Sequence, residues 1–98
     1  MTAKIRIPSH PGEILQHEFL EPLAMSAATL AEHLGVSESE VDSLLREEAP
    51  VTPRFAWLLG MATGTGPELW MDLQTNHDLA RNRPERTLAK LVDRKSVV

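Results

Sequence analysis

Leu30-Ala-Glu-His-Leu-Gly-Val-Ser-Glu-Ser-Glu-Val-Asp-Ser-Leu-Leu45 reads as two short amphipathic helices joined by a tight turn. Leu30, Ala31 and Leu34 share one face of the first helix, and Gly35 can take the left-handed conformation that ends it. Ser37 is the next cap and Glu40, three residues on, completes a capping box, so a further helix starts here and buries Val41, Leu44 and Leu45. The pair is a helix-turn-helix, the shape that lays its second helix in a major groove. That second helix carries Glu38, Glu40 and Asp42, with no base before Arg46. A carboxylate on a groove-facing surface helps only when it accepts from cytosine N4 or aims a neighbouring base. A DNA-reading shape therefore meets a DNA-repelling charge.

Upstream, Pro11 sits where a helix can begin, and Ile14, Leu15, Glu18 and Phe19 continue at helical spacing. Ile14, Leu15 and Phe19 are expected inward, with Pro22 closing this first helix by withholding an amide donor. Ser26 caps the second helix. Downstream, Thr52-Pro53 is a cap followed by proline at the first helical position. Phe55, Ala56, Leu58, Leu59 and Ala62 then give a nearly all-round apolar fourth helix, expected in the middle of the core, with Trp57 buried in it. Gly64 ends that helix and Pro67 opens a fifth, which presents Leu69, Trp70, Leu73 and Leu79. The fold class is all-α: five helices over residues 10–80, an arm over 1–9 whose Ala3-Lys-Ile-Arg-Ile7 alternates like a brief strand or leader, and a basic tail over 81–98. In the tail, Leu88, Leu91 and Val92 fit either a sixth helix or a partly ordered segment.

With 98 residues and no cysteine, the chain has room for one modest core and neither a disulfide framework nor a thiolate metal site. The absence of a long apolar run or signal-peptide pattern leads to the expectation of a soluble cytoplasmic protein with no membrane partner. The net charge of −4 hides a split. Residues 26–50 hold six acids (Glu32, Glu38, Glu40, Asp42, Glu47, Glu48) against Arg46, while residues 81–98 hold six bases against Glu85 and Asp93. Such polarity suits oriented docking within an oligomer or onto another molecule.

Three stretches carry a family resemblance: His10-Pro-Gly-Glu-Ile-Leu15, the helix-turn-helix followed by Val51-Thr-Pro53, and Glu68-Leu-Trp-Met-Asp-Leu-Gln74 before Asp78-Leu79. Together, over roughly residues 8–80, they resemble the HigA antitoxins, Xre/Cro-like proteins with a lambda-repressor-like helix-turn-helix. The resemblance implies a homodimer that binds operator double-stranded DNA upstream of its own operon and neutralises a small basic HigB/RelE-like toxin that cuts messenger RNA. It also implies that Ser26 caps the second helix and approaches a phosphate, and that Ser37, Glu38, Ser39, Asp42 and Ser43 face the major groove. Thr52 and Arg54 would form a second phosphate contact. Helix N-termini accept phosphate, and short hydroxyl residues allow close groove approach, although Ser26, Ser37 and Thr52 would serve as caps in any helical protein.

Arg46, Arg54 and the arm residues Lys4 and Arg6 are the bases available to offset the acidic helix, so DNA binding is expected to be weak, strongly salt-dependent or strengthened by a partner. Glu38, Asp42, Glu47 and Glu48 suit the basic surface of an RNA-gripping toxin. Trp70, Leu73 and Gln74 are expected to pack the fifth helix onto the bundle or line a dimer seam. His10, His17, His33 and His77 lack the compact spacing of a zinc site, and a His10 ring nitrogen is placed to accept a backbone amide near Gly12. Gly64-Thr-Gly66 lacks the lysine of a phosphate loop, and no catalytic set is apparent, so neither enzymatic activity nor a cofactor or metal is expected. Two rivals remain: a stand-alone transcriptional regulator, and a non-DNA-binding interaction module built on the same scaffold.

Overall fold

The computed structural model describes residues 8–91, and all regular structure within them is helical. Helix α1 has three parts: an α-helical start, Pro11–Ile14, a π-helical middle, Leu15–Leu20, and an α-helical end, Glu21–Leu23. Then follow α2 (Ala27–Leu34), α3 (Glu38–Leu45), α4 (Pro53–Thr63) and α5 (Pro67–Arg81). Local chemistry sets most of these boundaries. Ser26 Oγ accepts the Thr29 N–H, Ser37 Oγ accepts the Glu40 N–H, and Thr52 Oγ1 accepts the Phe55 N–H, each satisfying an amide that its helix leaves open. His10 does the same for α1 with its ring: Nδ1 accepts the Gly12 N–H at 2.9 Å.

The first helix does not stop at Pro22. The chain stays helical to Leu23, and the turns ahead of the proline open into π register, with the Glu21 N–H bonded to the Gln16 carbonyl. The wider turn makes room for a ring that would crowd an α-helical carbonyl. Helix α1 ends instead at Ala24, which takes a left-handed conformation at φ 52°.

One core gathers Leu15 and Leu20 of α1, Leu30 and Ala31 of α2, Val41 and Leu44 of α3, Val51, Phe55, Ala56 and Leu59 around α4, and Trp70 of α5. Ile14, Phe19, Leu34, Leu45 and Leu73 are half-buried at its margin. Two backbone approaches need glycine. A Cβ at Gly12 would run into the Leu44 carbonyl, locking α1 against the end of α3, and a Cβ at Gly60 would run into the backbone of Gly66 and Pro67.

Helix α4 departs from the expected all-round burial. Trp57 is 58% exposed and Met61, one turn on, is 67% exposed, so this helix buries Phe55, Ala56, Leu59 and Gly60 and leaves an apolar stripe uncovered. The reason is geometric: α2 and α5 cover only part of the α4 circumference. On α5, Trp70 is fully buried while Leu69 and Leu79 are exposed. Residues 82–91 form no helix and are exposed, so Leu88 and Leu91 do not open a sixth helix there; Val92 and the arm residues Ala3–Ile7 lie outside the described residues.

Candidate nucleic-acid interface

The turn between α2 and α3 is held by Gly35 at φ 75°, whose N–H bonds the Ala31 carbonyl, followed by the Val36 N–H on the same carbonyl. Ser37 and Glu40 form the full capping box: Glu40 Oε2 accepts the Ser37 N–H at 3.1 Å while Ser37 Oγ accepts the Glu40 N–H at 3.1 Å. The hydroxyls of Ser26, Ser37 and Thr52 are thus engaged with their own backbone. Any part they take in holding a phosphate falls to the open N–H groups of the turns they start.

Past α3 the chain turns at Glu47, φ 62°, and crosses to α4 through Ala49 and Pro50. The Val51 N–H is buried and donates to Gln74 Oε1 at 2.7 Å, so α5 fixes the residue immediately before the Thr52 cap. Gln74 Nε2 continues to Asp78 Oδ1 at 3.0 Å. Gln74 and Trp70 are therefore internal to the chain, the indole N–H of Trp70 donating to Thr65 Oγ1, while Leu73 is half-buried beside them.

Between α3 and the start of α4 lies a cleft of about 410 Å³ lined by Ser39, Glu40, Ser43, Thr52 and Arg54 over a floor of Leu44 and Phe55. Arg54 Nη2 donates to Glu40 Oε1 at 2.7 Å across it. The Ser37 N–H holds the Glu40 carboxyl below the ordinary carboxylate range, and the Arg54 charge adds to that. Of the nine residues expected at a DNA surface, Ser39, Ser43, Thr52 and Arg54 meet in this cleft. Ser37 caps its edge through Glu40. Ser26 stands at the start of α2, exposed Glu38 and half-buried Asp42 lie on α3 outside the cleft lining, and Arg46 is the exposed residue that ends α3.

Sequence reasoning treated Glu40 as a cap and as one of three repelling acids, and missed its partner, Arg54, fourteen residues later. It also placed Trp57 inside. The capping role foreseen for His10 is present, and its ring packs edge-on against His77, centroids 5.1 Å apart, while His77 Nδ1–H donates to the Pro8 carbonyl at 2.7 Å. Among the described residues, no three His, Asp or Glu side chains cluster as a metal site, and no helix is long and apolar enough to cross a membrane.

No family model matches the chain. Individual proteins do. Antitoxin HigA-1 of Vibrio cholerae serotype O1 is 39% identical over 80 residues, covering 80% of this chain and 75% of that protein. The chain belongs to the HigA family of helix-turn-helix antitoxin proteins. Solved antitoxin structures share its architecture: antitoxin GraA, at 44% identity and TM-score 0.76, covers 80% of this chain and 83% of its own. The Pseudomonas aeruginosa antitoxin HigA, solved with the higBA promoter, reaches TM-score 0.79 at 35% identity and covers 87% of this chain and 99% of its own. Curated relatives are matched over 65% to 81% of their own lengths.

Proposed function

We propose that this HigA-family chain is the antitoxin of a type II toxin–antitoxin module: a cytoplasmic, non-catalytic homodimer that represses its own operon and neutralises a small basic RelE-like toxin. The observation that carries the DNA half is the cleft between α3 and α4, where a guanidinium and three hydroxyl-bearing side chains line the junction of a recognition helix with the capped N-terminus of the next helix. Relatives support it, since GraA has been solved in complex with its operator and HigA with the higBA promoter. The exposed stripe of Trp57 and Met61 on α4 is the surface for a second copy, because an uncovered indole beside a methionine is the composition of an interface centre. The acidic residues of 26–50 suit a basic toxin surface.

The acidic recognition helix favours one other reading, a helix-turn-helix kept as scaffold for protein capture. Fluorescence anisotropy separates the two. The purified chain is titrated against its own upstream DNA and a shuffled duplex, at two salt concentrations, with and without the product of the adjacent gene. Preference for the native duplex is expected; equal weak binding to both, even with the partner present, leaves protein capture as the function.

A further inference from the structure

Glu40 serves two structures at once. Its Oε2 is fixed by the Ser37 N–H in the capping box, and its Oε1 accepts Arg54 Nη2 at 2.7 Å. One carboxylate oxygen is thus tied to the backbone of the α2–α3 turn while the other reaches the first turn of α4. The Arg54 side chain is 61% exposed, and α4 itself carries no acid that could hold it. A long exposed side chain of this kind loses much rotamer freedom on meeting a ligand, and a partner that restrains it beforehand removes part of that loss. Guanidinium has five N–H donors, so one bond to Glu40 leaves the rest free.

We propose that Glu40 is a positioning residue for nucleic-acid binding, holding Arg54 over the α3–α4 cleft so that its remaining donors meet a backbone phosphate beside Ser39, Ser43 and Thr52. The inference rests on the DNA-binding reading above and adds to it a role for an acid that charge alone marks as harmful. Charge alone makes the opposite prediction: removing Glu40 takes a negative group away from a polyanion and frees a paired arginine, so binding should tighten.

The experiment is a double-mutant cycle in operator affinity, with wild type, Glu40→Gln, Arg54→Gln and the double variant titrated by anisotropy at one salt concentration. Glutamine keeps an acceptor for the Ser37 N–H, so α3 stays capped, and Ser37→Ala serves as a control that weakens the cap and removes a long hydroxyl contact to Glu40 while keeping the Ser37 N–H and Arg54 on its carboxylate. Arg54→Gln is expected to weaken binding about tenfold and Glu40→Gln about three- to tenfold, with Glu40→Gln having no weakening effect once Arg54 is gone. Unchanged or tighter binding by Glu40→Gln overturns the proposal, as does an equal loss in the Arg54→Gln background. Full affinity in Arg54→Gln also overturns it while leaving operator binding in place. A wild-type chain that fails to prefer its own upstream DNA removes the functional reading and this inference together.

Discussion

Replacing Gln74 by leucine tests whether α5 holds the capped N-terminal end of α4 through one hydrogen bond. Gln74 Oε1 accepts the buried Val51 N–H at 2.7 Å, and Val51 precedes the Thr52 cap. Leucine roughly fills the volume of glutamine but offers no acceptor, so the Val51 amide is left buried and unpaired, at a cost of about 1–3 kcal/mol. The second bond, to Asp78, adds little, because Asp78 is exposed and water replaces its partner. For a domain of this size each kcal/mol moves the melting temperature by about 4–8 °C, so Gln74→Leu should melt roughly 5–20 °C lower. Far-UV circular dichroism melts at one protein concentration measure it, the fixed concentration keeping dimerisation out of the difference. Operator affinity should fall even at temperatures where the variant is folded, since the cap of α4 loses its anchor. A melting temperature within about 2 °C of wild type refutes the argument, because it means the amide finds another partner or was never shielded.

Gly60→Ala should destabilise by about 1–3 kcal/mol in urea denaturation, because its Cβ meets the Gly66 and Pro67 backbone. Helix propensity alone predicts a gain of about 0.5–1 kcal/mol, so the sign of the change decides. Burial holds the His10 imidazole below its ordinary value, with His77 and Arg81 acting in the same direction against the pull of Glu47 and Asp78. A histidine whose folded pKa is depressed contributes stability above its unfolded value, near 6.5, that is lost as pH falls through the folded one. The urea midpoint should therefore decline on the acid side of about pH 6.5, and His10→Asn, which keeps an acceptor for the Gly12 amide, should flatten that decline. Trp57→Glu with Met61→Glu should leave the circular dichroism spectrum intact and give a monomer in analytical ultracentrifugation where wild type gives a dimer.

What the sequence made legible was local. Ser26, Ser37 with Glu40, Thr52 before Pro53, and Gly35 and Gly64 each act on backbone groups within a few residues, so their spacing contains the whole interaction. Pro22 misled because the proline was weighed against an α-helix, whereas the chain relieves it by widening to π register upstream. Trp57 misled for a different reason. Periodicity in a helix that is apolar all round does not say which side its neighbours cover, and here the neighbours leave Trp57 and Met61 in the open. The reason for Gly60 lies in a backbone approach from the next turn, and Gln74 with Val51, His77 with Pro8 and Glu40 with Arg54 are pairs separated by 23, 69 and 14 residues. No local pattern carries such contacts, and two of them, Gln74 with Val51 and Glu40 with Arg54, shape the candidate site.

The acids that make the recognition helix look hostile to DNA are not all placed where DNA would feel them. Glu47 and Glu48 follow the C-terminal end of α3 and line a recess with His10, Asp78 and Arg81, next to the cleft of Ser39, Thr52 and Arg54 but outside its lining. At physiological ionic strength the screening length is about 8 Å, so exposed charges outside the cleft lining act more weakly on a phosphate in it than Arg54, which lines it. Glu40 is paired with Arg54, leaving Glu38 and Asp42 as the acids of α3 without an ion-pair partner among the described residues. Glu38 sits in the first turn of α3, where the helix dipole offsets part of its charge, while Asp42 lies past that turn and gains little from it. At about 0.01 M salt the screening length grows to about 30 Å, and Glu47 and Glu48 then oppose the same phosphates that Arg54 attracts. Dilution of salt thus strengthens attraction and repulsion together, and a charge pattern that looks prohibitive when summed along the chain is compatible with operator binding at the ionic strength of a cell.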